Sequence, residues 1–289
     1  MAYSDWPYPT LCYRDKSNDR TVTLLGSQHF RTYAPSPNGL VERLVDKSNQ
    51  VFFENADYYP KDGVFSAEFQ SPKELDPLVR LDSFVNANDI PEISRIFGIK
   101  MSGDTQLYIS IVPVMANIIY AGKLRFDQDS EQPSEIPKNP LIGAYSLESA
   151  AYVYALRQKK KVTNLETPYE MFGGPEFEKI KDEISYAISC SKNEDCLRKR
   201  KGNERLLSNY QPEPSKYSYD ELYRLSANNH DIAMFSLPHR NERWSAKLIS
   251  LSAKGARSLV IVGATHIGGP VGLASKLESA KFVKVKCEP

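Results

Sequence analysis

Leu259-Val260-Ile261-Val262-Gly263-Ala264-Thr265-His266 is an apolar, β-prone run followed at once by Gly-x-x-His. Such a run reads as a buried strand, and the glycine allows the tight turn that leaves its end. A Gly-rich turn follows, then a helix through Leu273 and Leu277, then a last strand over Phe282–Lys286. A looser copy lies near the start of the chain. Thr21–Leu25 reads as a strand, Gly26-Ser27-Gln28-His29 follows, and Leu40, Val41, Leu44 and Val45 recur at helical spacing before Val51–Phe53 and Glu54. With 15 glycines and four histidines in 289 residues, chance supplies only about 0.2 matches to Gly-x-x-His, so two of them behind apolar strands are a signal.

Working outward, Leu11–Arg14 pairs naturally with Thr21–Leu25 across the polar turn Lys16–Arg20. Ser146 can cap a helix carrying Ala150, Val153, Tyr154 and Leu156, and Val162–Leu165 is another short strand ending in Glu166. A helix over Asn241–Lys254 should bury Trp244, Leu248 and Leu251. The segment from about Tyr59 to Gly122 reads as mostly helical, with Ile93, Ile96 and Phe97 on one face. Strands separated by helices indicate an α/β layered fold. The predicted architecture is one domain over 1–289: a central mixed sheet with flanking helices and two Gly-x-x-His strand-end loops in pseudo-repeated halves. Helical insertions at about 60–145 and 170–235 would roof the site.

Composition narrows the function classes. With 37 Lys+Arg against 36 Asp+Glu, there is no bulk charge to draw the chain to nucleic acid. The longest apolar stretch, Leu107 to Gly122, is broken by Ser110, Pro113 and Asn117 and falls short of the ~20 residues of a bilayer-spanning helix. No signal peptide is visible in Met1–Thr10. Cys190 and Cys196 could close a small disulfide loop, and Cys12 and Cys287 sit in first and last strands that could be neighbours; four separate thiols are the other reading.

Candidate chemistry gathers at strand ends, where open α/β sheets bind their ligands. His29 and His266, with Glu54 and Glu166, make a plausible site for a divalent transition metal that leaves room for water. Arg240 extends the apolar stripe of its helix (Trp244, Leu248, Leu251): either it points inward, toward a site carboxylate or a substrate oxyanion, or it is a surface arginine followed by a helix-capping Asn241. His230 and His239 lack such a setting. No phosphate-binding glycine loop, Gly-x-Ser-x-Gly turn or His-Glu-x-x-His occurs.

These residues resemble the TraB/GumN family, within the erythromycin esterase/ChaN-like group. Arg240-Asn241-Glu242-Arg243-Trp244, the Gly263–His266 motif and the Gly269-Pro270-Val271-Gly272-Leu273 turn carry the likeness, joined by Leu24–His29 and Leu165-Glu166-Thr167. For Tiki-like members, the resemblance implies a metal-dependent protease. It makes His29 and His266 metal ligands and Glu54 a ligand or general base. Glu166 becomes a second acid and Arg240 a stabiliser of the site or of the carbonyl oxygen. Many members place an acid two residues after the first Glu; this chain has Ala56 there and offers Asp57. Asn241, Gly26 and Gly263 are the expected substrate-binding residues. One divalent ion (Mn, Co, Zn or Fe), a peptide or protein substrate and a periplasmic or secreted location complete the expectation. A non-catalytic peptide-binding member and a metal-free ester or amide hydrolase with histidine as general base are the alternatives.

Overall fold

A computed structural model describes residues 9–27, 39–55, 78–108, 115, 119, 147–167, 170, 176–200, 218–228, 233–251 and 253–287. Strands β1 (Leu11–Asp15), β2 (Arg20–Ser27), β3 (Gln50–Phe53), β6 (Lys161–Asn164), β7 (Arg257–Gly263) and β8 (Val283–Val285) form one six-stranded sheet, ordered β6-β3-β7-β2-β1-β8. The pairs β6/β3, β3/β7 and β7/β2 are parallel, whereas β1 runs antiparallel to both β2 and β8. The sheet is therefore mixed, as predicted, and four neighbouring strands end at the same edge.

Burial on both faces explains why β7 is apolar throughout: Ser258 to Gly263 are all buried, and both strand neighbours are parallel. Alternate residues sort into two cores. Val22, Leu24, Phe52, Val260 and Val262 pack with Trp244, Leu248, Leu273 and Leu277 on one face. Leu25, Val51, Phe53, Leu259 and Ile261 pack with Val41, Val45, Leu147, Ala151 and Ala155 on the other. Helices α1 (Leu40–Lys47) and α3 (Leu147–Arg157) thus cover one side, and α6 (Ala233–Leu251) and α7 (Leu273–Ser279) the other. Each buries residues spaced three, four or seven apart, the spacing that places a single stripe on a helix.

Two features differ from the reading of the sequence. Helix α6 begins at Ala233, eight residues before Asn241, and runs through Pro238. Arg240 and Asn241 are consequently mid-helix residues whose side chains reach inward. The stretch predicted as mostly helical contains helix α2 (Ile90–Phe97), but also a two-stranded antiparallel sheet of β4 (Leu78–Arg80) and β5 (Gln106–Tyr108). Its residues Leu81, Phe84, Ile93 and Ile96 share a third core with Ile180, Ile184 and Ile188 of α4 (Glu176–Ser191). The two predicted insertions therefore pack on each other.

All four cysteines are joined, Cys12 to Cys287 and Cys190 to Cys196. The first pair follows from topology: Cys12 lies opposite Val285 in the β1/β8 register, and Cys287 is two residues beyond the end of that strand. Among the described residues no helix is long and apolar enough to cross a membrane.

Candidate active site

The connections out of β2 and β7 diverge. From β2 the chain passes to α1 on one face and enters β3, whereas from β7 it passes to α7 on the other face and enters β8. Two adjacent parallel strands whose chains depart in opposite directions open a crevice at their carboxyl ends. Ser27 and Gly263 stand opposite each other there. Both Gly-x-x-His motifs begin at this crevice. His29, Asp57 and His230 lie outside the described residues, and His239 is exposed on α6.

Glu54 and Glu166 reach the site by the same device, each lying just past the end of a parallel strand. The ladder continues beyond β3 and β6: the Leu165 N–H donates to Phe53 O at 2.7 Å and the Glu166 N–H to Glu54 O at 3.1 Å. The two carboxyls are thereby held side by side, and Arg240 enters between them from α6. Its Nη2 donates to Glu54 Oε2 at 3.0 Å and to Glu166 Oε1 at 2.5 Å, while Nε donates to both Glu166 oxygens at 3.0 and 3.1 Å. Trp244, one turn along α6, donates its indole N–H to Glu166 Oε2 at 3.0 Å. The Gly263 N–H donates to Glu54 Oε1 at 2.5 Å. All three charged side chains are buried.

Electrostatics at this triad are set by one guanidinium serving two carboxyls. Burial pushes the Glu166 carboxyl above its ordinary value, against the pull of Arg240. Burial also opposes the charge on Arg240, but Glu166 and then Glu54 outweigh it and hold the guanidinium above its usual range. Arg240 stays charged and fixes both acids in place.

His266 lies in the short 3₁₀ turn after β7, is buried, and stacks on Trp244 with centroids 4.3 Å apart and planes 30° apart. Arg240 lies over the indole at 4.7 Å. Asn241 completes the arrangement. Its Nδ2 donates to His266 O at 3.1 Å and Val271 O at 2.9 Å, which leaves Oδ1 facing His266 Nδ1 at 2.7 Å. Two carbonyl acceptors settle which way the amide points, and its oxygen can only accept. Nδ1 must therefore carry the proton, and in the neutral ring the lone pair resides on Nε2.

The structure thus brings Glu54, Glu166, Arg240, Asn241, Gly263 and His266 into one hydrogen-bonded cluster. Asn241, Gly26 and Gly263, the residues expected to contact substrate, also make protein contacts: Asn241 to His266, the Gly26 N–H to the Tyr219 hydroxyl at 2.8 Å, and Gly263 to Glu54. Spacing marks Trp244 only as a core residue, and its indole N–H adds a function that spacing does not reveal. Ser27 carries no sequence signal of its own: its hydroxyl is buried at the crevice without a hydrogen-bond partner, a group that a bound water or substrate would satisfy.

Among the described residues no three His, Cys, Asp or Glu side chains converge as a metal-ligating group. The donor chemistry nevertheless suits a divalent ion. His266 carries its ring lone pair on Nε2 and Glu54 supplies a carboxylate, the two ligand types of a mixed imidazole and carboxylate shell. Glu166 fits less well, since its two oxygens already face three donor groups, Arg240 Nε, Arg240 Nη2 and Trp244 Nε1.

The model of the TraB/PrgY/gumN family matches residues 12–284. No curated protein and no solved structure matches the chain. With nearly its whole length matched, the chain belongs to the TraB/PrgY/gumN family.

Proposed function

We propose that this family member is a metal-dependent hydrolase that cleaves peptide bonds in the crevice between β2 and β7. The observation that carries this reading is the fixed His266 ring, whose Nδ1 is tied to an Asn241 oxygen that can only accept. Enforced Nδ1–H is the usual way in which a protein prepares Nε2 as a metal ligand. His266, Glu54 and, on the resemblance, His29 would hold the ion, and such a mixed shell suits Mn, Co, Zn or Fe. When bound, a divalent ion supplies Lewis acidity, lowering the pKa of water and polarising a carbonyl.

The chain's own residues do the rest. Arg240 and the Gly263 N–H each hold one oxygen of Glu54, which leaves this carboxylate oriented to accept a proton or a ligand bond. Glu166 acts as the counter-charge of Arg240 rather than as a second ligand. Trp244 braces Glu166 by its N–H and His266 by its ring face. The two disulfides favour an oxidising compartment, periplasmic or secreted.

A metal-free hydrolase is the second reading, favoured by the engagement of both acids with Arg240. His266 Nε2 would then be the general base. Incubating the full chain with a peptide library and Mn²⁺, Co²⁺ or Zn²⁺, with products read by mass spectrometry, separates these possibilities. Cleavage should need the ion and fall at least ~100-fold in His266→Ala. Cleavage that survives exhaustive chelation would replace the metal reading with the metal-free one. Peptide binding without any product would instead make the protein a sequestering member.

A further inference from the structure

The end of β2 at Gly26 and the turn after His266 both meet one helix that belongs to neither half of the repeat, α5 (Ser218–Asn228). The β1/β2 register, extended two residues past the Leu11–Leu24 pair, sets Pro9 opposite Gly26. The Tyr219 hydroxyl stands between them, accepting from the Gly26 N–H at 2.8 Å and donating to Pro9 O at 2.8 Å. A side chain from α5 thus occupies a rung of the ladder where β2 gives way to the first loop. Tyr219 is buried, and a Cβ at Gly26 would come within 2.4 Å of its ring.

The same turn of α5 grips the second loop. A Cβ at Gly268 would lie 2.3 Å from the Tyr219 carbonyl, so only glycine admits this backbone-to-backbone approach. The Gly269 N–H donates to Asp220 Oδ1 at 2.7 Å, and Gly269 holds φ +75° against the Tyr223 ring. In the sequence Gly26 precedes His29 by three residues, and Gly268 follows His266 by two.

We infer that Tyr219 is a positioning residue that ties the end of β2 at Gly26 to the turn after His266 through α5, and so holds the two sides of the crevice at a fixed separation. The inference rests on the functional reading only for the identity of the ligand that the crevice takes up. The mechanical coupling stands on the contacts alone. Removing the hydroxyl leaves the Gly26 N–H and the Pro9 carbonyl without their bridge but keeps the ring in its seat.

The test uses the full chain, Tyr219→Phe and Gly268→Ala, with amide hydrogen exchange followed by mass spectrometry and Mn²⁺ affinity by titration. In Tyr219→Phe, exchange should accelerate at least ~10-fold over residues 24–29 and also over 263–269. Residues 50–53 of β3 should be unchanged, and Mn²⁺ should bind about 10-fold more weakly. Gly268→Ala, which displaces α5 from the other side, should give the same pair of responses. Equal acceleration over the whole sheet would show a merely structural tyrosine and overturn the inference, as would acceleration confined to residues 24–29. If the unaltered protein binds no Mn²⁺, the metal reading fails while the exchange measurement still decides the coupling.

Discussion

Dehydrating a guanidinium and two carboxyls costs several kcal/mol per ion, and geometry has to offset it. Around Arg240 that offset comes from four hydrogen bonds to Glu54 and Glu166, the Trp244 and Gly263 donors, and the indole face. Arg240→Ala would leave two buried acids facing each other, and should lower the urea-derived stability by about 3–5 kcal/mol. Arg240→Lys would be poorly tolerated too, since an ammonium cannot reproduce Nε and Nη2 donating together to Glu166. Asn241 makes the sharper functional test. Asn241→Ala releases His266 Nδ1, and Mn²⁺ affinity by titration should fall about 10–100-fold. At this scale, sequence reading found the charged members because a charge that extends an apolar stripe or ends a buried strand stands out against its apolar neighbours, although solvent-facing acids and a surface arginine fitted the same pattern. It missed Trp244, Ser27 and Tyr219, whose polar atoms ride on side chains that the pattern already accounts for as core or turn.

Elements carry these side chains only as accurately as their ends are set. The β1–β2 turn is one such anchor. Asp15 accepts the Ser17 hydroxyl, Asn18 Nδ2, Arg20 Nε and the Ser17 N–H, and Arg20 also donates to Ile249 O near the end of α6 at 2.7 Å. The Ser17, Asn18 and Arg20 bonds hold the Asp15 carboxyl well below the usual carboxylate range. A depressed folded-state pKa contributes stability above the unfolded value of ~3.9, and loses it as pH falls through the folded value. Asp15→Asn should therefore lower the thermal midpoint at pH 7, with the difference from the unaltered protein shrinking below pH ~4. A difference that stayed constant across that range would remove the carboxylate from the explanation. Period-3.6 stripes made α1, α3 and α7 legible, and continuous apolar sequence did the same for β7. The start of α6 was hidden by Pro238, which ordinarily marks a helix boundary. Strands of three residues such as β4 and β5 are too short for alternation to be seen.

At the scale of the whole molecule, the decisive feature is the adjacency of β2 and β7, which are separated by more than 200 residues of chain yet paired along seven residues. The echo of strand, Gly-x-x-His, helix and strand suggested two halves of one sheet. Which strands are neighbours depends on long-range pairing that no local pattern contains. The Cys12–Cys287 bond spans 275 residues and ties the β1 and β8 edge together. The double change Cys12→Ser with Cys287→Ser should cost about 2–5 kcal/mol. With an unfolding entropy of about 2.1 cal/mol/K per residue, that is a fall in Tm of roughly 3–8 °C by calorimetry for 289 residues. Cys190–Cys196 closes a much shorter loop and should matter less to Tm.

The crevice between β2 and β7 as a shared histidine metal site is tested most directly by equilibrium dialysis of the purified chain against Mn²⁺, Co²⁺ and Zn²⁺, followed by elemental analysis. The unaltered protein should retain close to one ion per chain, and His29→Ala and His266→Ala should each retain almost none while keeping their far-ultraviolet circular dichroism. Full occupancy in either folded variant, or no ion in the unaltered protein, would contradict it.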